Sequence, residues 1–135
     1  MSDHPEKHVE TWLAYAREDL AAAAELLDLP NVVKRVACFH AQQTAEKAIK
    51  AVLIFSGKKP PRKHDLKQLC DALPAGWSVK AIADEVDRLS PWAAESRYPG
   101  PWPAASDDEA KEAVAIAGKV LVLIEQDLKK RGFGE

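Results

Sequence analysis

A chain of 135 residues is long enough for one compact domain around one core. Hydrophobic residues make up 47% and charged residues 30%, which excludes a disordered chain, and a formal net charge of −2 excludes a globally basic nucleic-acid binder. No apolar run approaches the ~20 residues of a membrane span, and Met1-Ser2-Asp3-His4-Pro5-Glu6 lacks a basic-then-apolar signal pattern. The expectation is a cytoplasmic protein with a single domain over residues 1–135 and no membrane contact.

Alternating β-branched or aromatic runs are missing and alanine is abundant, so five helices account for the pattern. Helix 1 is predicted over 5–27, with Pro5 in its first turn and Pro30 beyond its end. Val9, Trp12, Leu13, Ala16, Leu20, Ala23 and Leu27 form its apolar stripe. Helix 2 is predicted over 32–55 and closed by Gly57. Lys58-Lys59-Pro60-Pro61-Arg62-Lys63 follows as a basic, proline-stiffened loop. Helix 3 is short, 64–73, and helix 4 runs over 79–94 with Ser78 as N-cap and an interruption at Ser90-Pro91. Pro99, Pro101, Pro103 and Gly100 then forbid regular helix. Ser106-Asp107-Asp108-Glu109 is a capping box that opens helix 5, 107–130. Short loops make this an all-α, up-and-down antiparallel bundle, with alanine seams on helices 1, 2 and 5.

Helix 2 carries the chemistry. At about 100° per residue, Cys38, Ala41, Ala45, Ala48, Ile49 and Val52 share one apolar arc. His40, Gln43, Thr44, Lys47 and Lys50 share the other. Such a stripe suits an anion, or its own copy in a second subunit; the plainer reading is a solvated polar face. Lys63-His64-Asp65 could offer free amides and cations to a phosphate, or Asp65 could simply cap its own helix. Arg97-Tyr98 sits in a proline-held loop that could aim both side chains at a groove. Lys58, Lys59, Arg62 and Lys63 read first as a solvated basic loop. Trp77, Trp92 and Trp102 read as end-capping core. Cys38 and Cys70 lack a metal or redox spacing and read as free, buried thiols. His4 and His8 have no third ligand nearby, so no metal site and no cofactor are expected.

Four ordered segments resemble the HEPN domain family, in its short stand-alone prokaryotic form. They are Trp12-Leu13-x-x-Ala16-x-x-Asp19-Leu20, then Phe39-His40-Ala41-Gln42-Gln43-x-Ala45-Glu46-Lys47-Ala48-x-Lys50-Ala51, then Lys63-His64-Asp65-Leu66, and Arg97-Tyr98-Pro99-Gly100. The resemblance covers nearly the whole chain. It implies a four-helix core plus a short helix, frequent homodimers, and either RNA cleavage or a non-catalytic role in nucleotide binding. It also implies pairing with a small nucleotidyltransferase, as in toxin–antitoxin or stress-response pairs.

The chain departs from the family's ribonuclease pattern, which is Arg, four to six residues, then His in the last part of the bundle. Arg97 stands there, but His4, His8, His40 and His64 all precede it. Arg35 and His40 have the spacing formally, yet on a helix they lie about 140° apart. The expectation is therefore a non-catalytic binding module. Lys47, Lys50 and Arg97 would meet phosphate, and His40 and Gln43 would orient it. Tyr98 would stack or pack, and Lys63 and His64 would assist. The alternative is an atypical metal-independent ribonuclease using His40 or His64 with Arg97.

Overall fold

The computed structural model describes residues 5–29, 34–62, 65–93 and 104–134, and every regular element among them is helical. The helices are α1 (Pro5–Asp28), α2 (Lys34–Phe55), α3 (Leu66–Asp71), α4 (Ala83–Val86) and α5 (Asp107–Lys130). Two 3₁₀ segments, Ser78–Ile82 and Asp87–Trp92, flank α4.

Direction follows from which residues meet. Lys50, late in α2, lies near Trp12, early in α1, while Lys34 at the start of α2 donates to the carbonyl of Leu27 at the end of α1. These two helices are antiparallel. Phe133, just past α5, packs edge-on against Phe55 at the end of α2, and Arg17 of α1 bonds Glu125 near the end of α5. So α5 runs with α2 and against α1, and the segment from α3 to Trp92 carries the chain back between them. The result is the up-and-down bundle that the sequence suggests.

The core is built from Leu13, Ile49, Leu53, Leu89, Ile124 and Leu128, each at most 1% exposed. Burying each such side chain contributes about 1.5–3 kcal/mol. Ala16, Ala41, Ala45, Ala48, Ala110 and Ala117 are fully buried, which is the alanine seam expected of α1, α2 and α5.

Helix ends are set by local chemistry. Ser106 and Glu109 exchange side-chain and backbone hydrogen bonds at the start of α5. Both α2 and α5 close in a Schellman motif. In α2 the Lys58 N–H reaches the Leu53 carbonyl and the Gly57 N–H reaches Ile54; in α5 Phe133 reaches Leu128 and Gly132 reaches Lys129. Gly57 at φ +77° and Gly132 at φ +88° supply the left-handed residue each motif requires.

Helix 4 differs from its sequence reading. It is one α-turn between 3₁₀ segments, because Asp87 and Ser90 turn their side chains to another helix. The Ser90 hydroxyl accepts from the Leu66 N–H and Asp87 accepts from the Lys67 N–H, while Asp65 accepts from Gln68. Side chains that bond foreign amides compete with continued helix, and Pro91 removes a further donor. The same three bonds begin α3 at Leu66, two residues later than expected.

Candidate functional site

α2 is the central helix, wrapped by α1 and α5, and this changes the setting of its polar arc. Gln42 and Thr44 are fully buried and Lys50 is 9% exposed. The stripe expected to face solvent or a partner faces α1 for much of its length. Thr44 turns its hydroxyl onto the His40 carbonyl at 2.9 Å, a bond within the helix.

Two carboxylates organise the polar row, one from α1 and one from α2 itself. Asp19 of α1 accepts from His40 Nδ1 at 2.9 Å with one oxygen and from Lys47 Nζ at 2.6 Å with the other. Asp19 is only 12% exposed, His40 29% and Lys47 24%. Toward the other end of α1, Glu46 accepts from Lys50 Nζ and from Gln42 Nε2, both at 2.9 Å, and Gln43 Nε2 donates to the Gln42 side-chain oxygen at 2.7 Å. Each lysine also lies by an aromatic ring: Lys47 is 5.9 Å from the Tyr15 centroid and Lys50 is 5.9 Å from that of Trp12. Tyr15 keeps half of its surface exposed.

His40, Gln43, Lys47 and Lys50 are thus brought together, with both ammonium groups matched by carboxylates of the same chain. The patch is close to neutral, aromatic and rich in oriented donors. It attracts a polyanion weakly and suits a flat, polar group better. Asp19, Glu46, Trp12 and Tyr15 were not singled out as site residues from sequence. Their signal was present: Trp12, Tyr15 and Asp19 repeat at spacings of three and four, as do His40, Gln43, Lys47 and Lys50. Two such rows on adjacent antiparallel helices face each other.

Arg97, Tyr98, Lys63 and His64 lie outside the described residues. The α3 amides that an anion site beside them would use, those of Leu66, Lys67 and Gln68, are taken by Ser90, Asp87 and Asp65. Lys58 of the basic loop donates to the Ala72 carbonyl at the end of α3. Trp77 is core, edge-on to Phe55 and covered by the Arg131 guanidinium at 4.1 Å.

Cys38 and Cys70 are free and buried, and burial pushes each thiol up to about 11. Among the described residues no group of three His, Cys, Asp or Glu could hold a metal ion, and no helix is long and apolar enough to cross a membrane. A cavity of about 250 Å³ opens between α1 and the end of α5, over Leu13, Leu128 and Phe133, and is lined by none of the α2 polar row.

The family model for the HEPN domain matches residues 9–127. The crystal structure of TT1696 from Thermus thermophilus is similar, with a TM-score of 0.73 and 29% identity, over 87% of this chain and 96% of that one. The crystal structure of ST0689, an archaeal HEPN homologue, has a TM-score of 0.71 and 28% identity, over 89% of this chain and 97% of that one. No curated protein matches the chain.

Proposed function

Because the chain belongs to the HEPN domain family, we propose that it is a non-catalytic nucleotide- and partner-binding module, acting as a homodimer beside a small nucleotidyltransferase in a toxin–antitoxin or stress-response pair. The carrying observation is the paired polar row of α2 at its contact with α1. Asp19 holds His40 and Lys47, and Glu46 holds Lys50 and Gln42. A near-neutral patch with Tyr15 beside it fits one nucleotide, or an aromatic-rich protein surface, better than a long polyanion. Arg97 with Tyr98, and Lys63 with His64, would supply phosphate contacts. No histidine follows Arg97 to complete the family's ribonuclease pattern.

One observation favours a second reading, an atypical ribonuclease. A carboxylate on Nδ1 of an imidazole is the arrangement of a general base, and Asp19 with His40 has it. Labelled RNA incubated with the purified protein in EDTA separates the two. The binding-module reading expects intact RNA from wild type and from a His40→Ala/Arg97→Ala variant. Cleavage by wild type alone contradicts it. Sedimentation at micromolar concentration should show a dimer, and a monomer would remove the homodimer from the proposal.

A further inference from the structure

We infer that Asp19 is the positioning residue of this patch, and that by fixing the proton of His40 it selects a nucleobase presenting an exocyclic amino group, as adenine does. The inference rests on the nucleotide-binding reading above and names the ligand edge for it.

A carboxylate only accepts hydrogen bonds, so the 2.9 Å contact places the proton on His40 Nδ1. In the neutral ring this leaves Nε2, on the far side from Asp19, as a lone-pair acceptor. Two contacts and burial hold the arrangement. The second Asp19 oxygen is bound by Lys47 at 2.6 Å, so the carboxylate is anchored at both ends. The Phe39 ring packs edge-on against the imidazole at 5.3 Å between centroids. Asp19 itself is 12% exposed.

Nε2 has no hydrogen-bond partner among the described residues, and the imidazole is 29% exposed. An acceptor there calls for a donor from a ligand. The Lys47 ammonium, which has three N–H groups, gives one of them to Asp19. The patch therefore offers an open acceptor on His40 to an N–H group of a ligand. The exocyclic amino group of adenine or cytosine is such a donor. The half-exposed Tyr15 ring, close to Lys47, gives a flat base a stacking surface.

The test compares AMP with purine riboside 5′-monophosphate, which lacks only the amino group, by calorimetric titration of the full chain. Wild type should bind AMP about tenfold more tightly, the worth of one hydrogen bond. In Asp19→Asn the amide can donate to Nδ1, which moves the ring proton to Nε2 and turns the acceptor into a donor. The preference should then vanish, and ¹⁵N spectra should show the His40 proton moving from Nδ1 to Nε2. His40→Phe keeps a ring in the same space and should also lose the preference, which covers a failure of Asp19→Asn to fold. A preference that survives in either variant, or a wild-type ring protonated on Nε2 alone, overturns the inference and leaves nucleotide binding standing. Binding of neither nucleotide overturns the inference together with the reading beneath it.

Discussion

The Asp19 carboxylate of α1 meets the His40 imidazole of α2 at 2.9 Å, and this bond joins two rows of side chains that are distant in sequence. Lys47 closes the same carboxylate from its other oxygen. Asp19→Ala would strand an ammonium that is three-quarters buried. The expected cost is about 1–3 kcal/mol, below that of a fully buried ion pair because Lys47 retains some water. Urea unfolding should show a lower midpoint at unchanged slope. An unchanged midpoint would mean that the contact contributes nothing to the fold.

Cys38 and Cys70 should be inert. Burial holds both thiols up at about 11, and the charges of Glu109 and Asp71 add to it at Cys38 and Cys70 respectively. At pH 8 little thiolate exists, and what exists is shielded. A chromogenic disulfide reagent should find no fast thiol in the native protein and two after guanidinium unfolding.

Asp127 should make stability fall in acid. Burial pushes its carboxyl up, but the Ser78 backbone N–H at 2.7 Å and the Ser78 hydroxyl outweigh this, helped by Lys130 and Arg131, and hold it below the ordinary range. An unfolded aspartate titrates near 3.9. The stabilisation is therefore complete above about pH 4 and is lost as the pH falls through the lower folded value. Asp127→Asn keeps an acceptor oxygen but loses the charge, and should cost about 1 kcal/mol at pH 7, the difference between a charged and a neutral hydrogen bond. The gap in melting temperature between the two proteins should hold from pH 5 to 8 and narrow below about pH 4.

Gly57→Ala isolates a backbone effect. A Cβ at Gly57 meets nothing within 4 Å, so no clash contributes. The residue sits at φ +77°, where an L side chain is strained, and the expected loss is about 1 kcal/mol. Thermal unfolding reads it directly.

Much of the fold is legible in the sequence because periodicity, caps and breakers agree. α5 occupies Asp107–Lys130 as its capping box and apolar stripe require, and α1 extends the expected span by one residue. Helix 4 was less legible because Asp87 and Ser90 act on the amides of α3, a tertiary contact that local pattern does not encode. The site was half legible. The spacing of His40, Gln43, Lys47 and Lys50 marked one row, but a row on one helix does not reveal what packs over it. Asp19 and Tyr15 supply the opposing row, and the pairing of α1 with α2 is what sets their distance.

The most direct measurement is calorimetric titration of the purified chain with AMP, beside a Lys47→Ala variant whose folding is checked by circular dichroism. The expected result is saturable binding with one site per chain, weakened in the variant by loss of a charged donor. Flat heats for wild type at about millimolar nucleotide, where even a −4 kcal/mol site would be half filled, would contradict the nucleotide-binding module.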